Sequence, residues 1–387
     1  MSEVLSLEEK KKKLAELNKS FSKKYGESGV VKTANNLDKV KFYSTGIMGI
    51  DLALNSGFAV GRVCAINGTF SSAKSSLAYM TIAEQQRKDP SFYAYIYDAE
   101  QSTDITYLKA LHVDLDRVVI DQTKSAEEGL TKLRDSIASG IYGIAVLDST
   151  SALSPSKVND EEISSVSMAL VARILGNAYK QLAGVCADNN CTLLVIEQVR
   201  SAINTMGMGP SEIKSVGRSG EFTFSQQVTM RRQTKVTEED GLAVSNEITF
   251  KVTKNKVGVP YRKCTLVCRY GEGIDKITDL ARSSVQLGTV TKAGAWFYYP
   301  NKESCTEDHR WQGEEVFCKY LKEHEDFKDK LYEETLNAYR CADEKTVMQD
   351  EDKTDEINAQ KAELEDLKVT SKDNSTVSDG SDEFKDE

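Results

Sequence analysis

The stretch Gly68-Thr69-Phe70-Ser71-Ser72-Ala73-Lys74-Ser75-Ser76 decides how the rest of the chain is read. An apolar run, Arg62-Val63-Cys64-Ala65-Ile66, leads into it, and a helix-like run, Leu77 to Arg87, leaves it. Strand, small-residue loop, Lys-Ser and helix is the layout of a phosphate-binding loop. Such a loop aims backbone N–H groups and a helix N-terminus at a phosphate. The lysine adds a point charge at the β- and γ-phosphates, and the hydroxyl after it can hold Mg2+. One position departs from the pattern G-x-x-x-x-G-K-[ST], because Ala73 stands where the second glycine belongs. Taken alone, the stretch reads equally well as a Ser-rich turn before an ordinary helix.

The chain around it has 387 residues, enough for two or three domains. Hydrophobic residues at 40% and charged residues at 28% fit a soluble globular protein. No apolar run approaches the roughly 18 residues of a membrane span, and the start lacks a signal-peptide core, so a cytoplasmic location is expected. The eight cysteines form no C-x-x-C pair, and three histidines add little, so free thiols are expected rather than zinc. The net charge of −10 resides in a tail: Asp343 to Glu387 carries 16 acidic and 6 basic residues, which leaves the body neutral. The low pI therefore does not exclude a nucleic-acid partner for the body.

Ser6 to Tyr25 reads as a helix with Leu14, Leu17 and Phe21 on one stripe, and Val30-Val31-Lys32 as a short strand. Apolar strands are expected at 63–66, 92–97, 118–120, 144–147 and 193–196. Helices are expected at 77–87, 105–111, 126–139 and 168–188. This alternation implies an α/β fold with a mainly parallel sheet and helices on both faces, which binds ligands beyond the carboxyl ends of its strands. Residues 227–232, 247–254 and 264–269 alternate like antiparallel strands. Beyond them lie helices at 277–287 and 314–342, with an aromatic strand at 294–299. The tail is polar and aromatic-poor, as disordered segments are.

Three strand ends carry chemistry. Asp98-Ala99-Glu100 places carboxylates where one could polarise an attacking water and another could cap the next helix. Ile144-Ala145-Val146-Leu147-Asp148 has the form of a strand whose terminal Asp supports Mg2+. Glu197-Gln198 ends a third strand, where a Gln could sense a γ-phosphate.

In order along residues 1 to 342, further blocks complete a resemblance: Ser44-Thr45-Gly46 with Asp51-Leu52-Ala53-Leu54, Asp98 through Asp104 and Tyr107, Leu147-Asp148-Ser149, and Ala172-Arg173 with Lys180. Gln198-Val199-Arg200, Lys254-Asn255-Lys256, Tyr270 to Ile274 and Ala293-Gly294-Ala295-Trp296 follow. Together they resemble the RecA family of recombinases. The resemblance implies a RecA-type P-loop NTPase core at 38–274. An N-terminal oligomerisation helix and strand would occupy 1–37, a small α/β C-terminal domain 275–342, and the acidic tail 343–387. It implies ATP and Mg2+ as ligands, DNA-dependent ATP hydrolysis, and strand exchange between single-stranded and duplex DNA. The active form would be a homo-oligomeric helical filament with ATP at its subunit interfaces and no membrane. A non-hydrolysing DNA- and nucleotide-binding relative is the alternative.

Carried over residue by residue, Glu100 is similar to the family's general base. Gly68, Ser71, Ser72, Ala73, Lys74, Ser75 and Ser76 would hold the phosphates, and Ser75 with Asp148 the metal. Asp104 and Tyr107 would meet adenine, and Gln198 would relay the γ-phosphate state. Lys254 and Lys256 would reach the nucleotide of the adjacent subunit. Two loops, about 158–167 and 200–217, would bind DNA with Met168, Arg173, Lys180, Arg200, Ile203, Gly217 and Arg218. Four positions depart from the family: Ala73 for Gly, Glu197 for Asn, Glu221 for Lys and Arg218 for Asn. They mark a divergent member whose ATP turnover is open.

Overall fold

The computed structural model describes residues 5–26, 38–156, 168–201, 212–214, 220, 222–239 and 241–340. The expected strand at 30–32, the first DNA loop, Ile203, Gly217, Arg218, Glu221 and the tail lie outside them. Residues 1–41 and 42–387 form two separate units.

In the first unit, α1 (Leu7–Tyr25) opens on a capping box. The Ser6 hydroxyl accepts from the Glu9 N–H, and the Glu9 carboxylate accepts from the Ser6 N–H, which satisfies two otherwise orphaned donors. None of its residues is buried, and Leu14 and Leu17 of the expected stripe are exposed.

The second unit begins with β1 (Phe42–Tyr43), α2 (Met48–Leu54) and β2 (Phe58–Ala59). There follow β3 (Val63–Gly68), α3 (Lys74–Lys88), β4 (Tyr93–Asp98), α4 (Ile105–Ala110), β5 (Val118–Asp121), α5 (Ala126–Ala138), β6 (Tyr142–Asp148), α6 (Met168–Asp188) and β7 (Thr192–Ser201). Next come β8 (Glu212–Lys214), β9 (Gln226–Glu239), β10 (Leu242–Asn255), β11 (Lys263–Arg269) and β12 (Gly273–Ile274). The main sheet has the order β12-β11-β10-β9-β3-β7-β6-β4-β5, with β8 on β7. Pairing is parallel from β9 through β3, β7, β6 and β4 to β5, and antiparallel from β9 through β12.

Strand alternation builds two cores. Ile66, Ile96, Val146 and Ile196 face one way and pack with Leu77 and Ile82 of α3. Ala65, Tyr97, Leu147 and Val195 face the other way and pack with Leu133 of α5 and Leu182 of α6. Burial on both faces explains why these strands read as continuous apolar runs. Parallel pairing brings Gly68, Asp98 and Asp148, the last residues of β3, β4 and β6, and Gln198 of β7 to one edge.

The C-terminal elements are α7 (Lys276–Gln286), β13 (Thr291–Ala293), β14 (Trp296–Tyr298), β15 (Arg310–Gln312), α8 (Glu314–Glu323) and α9 (residues 325–340). They enclose Val290, Phe297, Trp311, Phe317 and Leu321, against which Met48 and Leu52 of α2 also pack. Two expectations change here. The single helix at 314–342 is two, divided at His324, whose backbone leaves the helical region at φ −124° and ψ 81°. The aromatic strand begins only at Trp296, because Gly294 and Ala295 form the turn that joins β14 to β13. All seven described cysteines are free. Among the described residues no helix is long and apolar enough to cross a membrane.

Candidate active site

The phosphate loop is shaped by close contacts. A Cβ on Gly68 would collide with the carbonyl of Met230 on β9 and the hydroxyl of Ser72, so only glycine fits there. The Ser72 hydroxyl and the Lys74 ammonium both donate to the Thr69 carbonyl at 2.8 Å. Ser71 and Ala73 have φ of 54° and 58°. Ala73 therefore occupies the left-handed region that the missing glycine would favour, at a cost of about 1–2 kcal/mol. Successive N–H groups in such turns make an anion-binding concavity, ending here at the start of α3. Lys74 is 8% exposed, and burial lowers its pKa against the opposing pull of Asp148 and Glu100.

Ser75, in the first turn of α3, donates to Asp148 at 2.6 Å. Tyr79, one turn on, donates to the same oxygen at 3.2 Å. Burial pushes the Asp148 carboxyl up to about 6; the Glu100 and Asp98 charges add to this, and the Ser75 and Tyr79 hydrogen bonds oppose it. A hydroxyl beside a carboxylate is an all-oxygen donor set that fits a hard divalent cation.

Asp98 and Asp148 are register partners on β4 and β6, yet their neighbours divide the chemistry. Asp98 is buried and accepts from the Ser102 and Thr103 N–H groups and the Gln122 amide. It therefore organises the turn that follows it. Glu100 is exposed at the site. Its Oε1 accepts from the Gln198 amide at 2.6 Å and from the Ser149 hydroxyl. The Ala99 and Glu100 N–H groups donate to the Asp148 carbonyl, which locks the two strand ends together. Gln198 is level with Gly68 because β7 pairs in register with β3. Asp104 caps α4 through the Thr106 N–H, and in the same helix the Tyr107 hydroxyl bonds Ser76 at 2.6 Å, so Tyr107 borders the loop.

The structure thus gathers Gly68, Lys74, Ser75, Ser76, Glu100, Tyr107, Asp148 and Gln198. Lys254 and Lys256 are not among them. Lys254 is level with Gln227, which is level with Ala65. The Lys256 N–H donates to the Ser225 carbonyl, and the Ser225 N–H to Val63, the first residue of β3. At about 3.3 Å per residue this lies roughly 16 Å from Gly68, at the far end of the strand. Arg173 and Lys180 are exposed on α6, Met168 is its first residue, and Arg200 lies on β7. Ser149 and Tyr79 were missed by sequence reasoning. Ser149 stood in the Leu-Asp-Ser block, and Tyr79 lies four residues after Ser75, on the same helix face.

Comparison with known proteins agrees with this geometry. The profile of the RecA N-terminal domain matches residues 12–275. Protein RecA of Wolinella succinogenes is 31% identical over 359 residues, covering 92% of this chain and all of that protein. The chain belongs to the RecA family. Protein RecA of Helicobacter hepaticus is 32% identical over 90% of this chain and 100% of its own. That of Staphylococcus carnosus is 34% identical over 84% and 89%. Among solved structures, the RadB recombinase is a distant likeness, with a TM-score of 0.45 and 16% identity over 60% of this chain and 98% of that one. Membership makes the chain a nucleotide-binding recombinase of the DNA-dependent ATPase class.

Proposed function

We propose that the chain assembles as a helical filament on single-stranded DNA, pairs it with homologous duplex, and hydrolyses ATP held with Mg2+ at Lys74, Ser75 and Asp148. The observation that carries this reading is Gln198 donating to Glu100 at the mouth of the phosphate loop. A carboxylate there can take a proton from an attacking water, and the Gln amide holds it in place. Mg2+, when bound at the Ser75 hydroxyl with Asp148 behind it, supplies charge neutralisation at the phosphates. Lys74 and the loop N–H groups add fixed positive potential where negative charge develops. Asp104 and Tyr107 border the base.

Lys254 and Lys256 serve the nucleotide of a neighbouring copy, which their distance from the loop of their own chain favours. Arg173, Lys180 and Arg200, with Met168, Ile203, Gly217 and Arg218, contact DNA chiefly at phosphates, so binding is independent of sequence. In this reading 275–342 is a small C-terminal domain and 343–387 an acidic tail. Left-handed Ala73 favours a second reading, a filament protein that binds nucleotide and DNA but hydrolyses poorly.

ATP hydrolysis measured with and without single-stranded DNA, with Glu100→Gln as control, separates the two. DNA-stimulated turnover abolished by the substitution supports the enzyme. DNA binding without turnover supports the second reading.

A further inference from the structure

Glu197 and Asn67 are register partners on β7 and β3, each one residue before Gln198 and Gly68, themselves register partners. Partners in register on paired strands project from the same face of a sheet, so the acid and the amide lie side by side. Both are buried, at 2% and 1% exposure. Neither the oxygen nor the nitrogen of the Asn67 amide has a hydrogen-bond partner. Tyr179, wholly buried on α6, also has an unpartnered hydroxyl, and its ionisation is opposed by burial first and then by the Glu197 charge. Gln227, level with Ala65 on β9, adds an unpartnered amide nitrogen on the same face. Ala65, Leu193, Val195 and Phe224 pack around it, with Thr229 on β9 the other register partner of Asn67.

An interior with these shapes would be at least as stable with apolar residues, so polar groups concentrated at one point ask for another explanation. Their position supplies it. The cluster joins the strand that feeds the phosphate loop, the strand that carries Gln198, and the helix that carries Arg173 and Lys180. A displacement of α6 or β7 reaches Gln198 through it, because an extended backbone transmits the movement of Glu197 directly to the next residue.

We propose that Glu197 is a positioning residue, which with Asn67 and Tyr179 forms a buried polar node coupling DNA contact on α6 and β7 to the placement of Gln198 beside Glu100. The inference rests on the functional reading above and names the device that would link its two ligands.

The test is the ratio of single-stranded DNA affinities with and without a non-hydrolysable ATP analogue, measured alongside thermal melting. Glu197→Gln and Asn67→Asp are each expected to lower that ratio at least about fivefold. The double variant, which exchanges acid and amide, is expected to recover it to within about twofold. Tyr179→Phe removes only an unpartnered hydroxyl, so a purely structural role leaves the ratio and the melting temperature unchanged or raises the latter. The node is expected to lower the ratio. Wild-type coupling that survives both single substitutions and Tyr179→Phe, or a double variant no better than the singles, overturns the node alone. A wild-type protein whose DNA affinity ignores the nucleotide overturns the functional reading and the node with it.

Discussion

The Ser75 hydroxyl donates to the Asp148 carboxylate at 2.6 Å, joining the first turn of α3 to the end of β6 across 73 positions of sequence. If the pair supports Mg2+, its two members fail alike. Ser75→Ala and Asp148→Asn should each raise the Mg2+ concentration for half-maximal ATP turnover by about tenfold or more. A Mg2+ titration checks this, and an unchanged midpoint in both variants removes the assignment.

The backbone of Ala73 has a definite consequence for stability. Glycine at φ 58° avoids a penalty of about 1–2 kcal/mol and forfeits about 0.4–1 kcal/mol through the freer unfolded chain. Ala73→Gly is therefore expected to stabilise the protein by up to about 1.5 kcal/mol. Denaturant unfolding measures it, and a loss of stability would contradict the left-handed assignment.

Asp98 and Glu100, two residues apart, should behave as opposites. Burial acts to raise the Asp98 pKa, but hydrogen bonds from Gln122, Thr103 and Ser102 outweigh it and leave it low. Asp98→Ala strands those donors and is expected to cost about 1–3 kcal/mol. Glu100→Gln is expected to abolish turnover while melting within a degree or two of wild type. Melting curves and steady-state rates on the same samples distinguish the two roles.

Asp279, on α7, accepts from the Gly49 N–H at 2.9 Å. Burial first, then the Asp51 and Asp275 charges, raise its carboxyl to about 7, against the Gly49 hydrogen bond and Arg282. Asp51 on α2 is likewise raised to about 6, chiefly by burial. A folded pKa above the unfolded value of about 4 means that the native state keeps a proton the unfolded chain has lost. The stability from this group is complete below about pH 4 and is lost as pH rises through about 7. Asp279→Asn should therefore stabilise the protein at pH 8, on the order of 2 kcal/mol, and give no gain near pH 4. Melting temperatures across that range decide it; an equal loss at both ends would leave only the hydrogen bond to Gly49.

Lys254 and Lys256 allow a test in mixtures. Lys74→Ala and Lys254→Ala copies are each expected to be inactive alone. A random equimolar mixture should regain about a quarter of wild-type turnover, because one interface in four joins an intact loop to an intact lysine. No recovery on mixing would place the lysines in some other role.

Much of this was legible in the chain. The parallel strands were plain because burial on both faces leaves their runs uninterrupted by polar residues. The beginning of α3 was read three residues late, since Ser75 and Ser76 favour helices weakly and the boundary is set by the backbone of Ala73. The break at His324 was hidden because Phe317, Leu321, Phe327 and Leu331 keep helical spacing through it. The antiparallel strands β9 and β10 ran longer than their apolar cores, as a hairpin can extend beyond the body it rests on. Which carboxylate of Asp98 and Glu100 faces the loop depends on strand register and on Gln198, which lies 98 positions from Glu100. The cluster at Asn67 left no trace in pattern, because its members come from four separated elements.

The antiparallel return of β10 has a counting consequence. On the proposal that Lys254 and Lys256 complete the nucleotide site of the adjacent copy, an open row of n copies contains n − 1 completed sites. A lone copy has none and a pair shares one. Specific activity should therefore climb with row length toward a plateau, and one terminal copy of every row should hold nucleotide without consuming it.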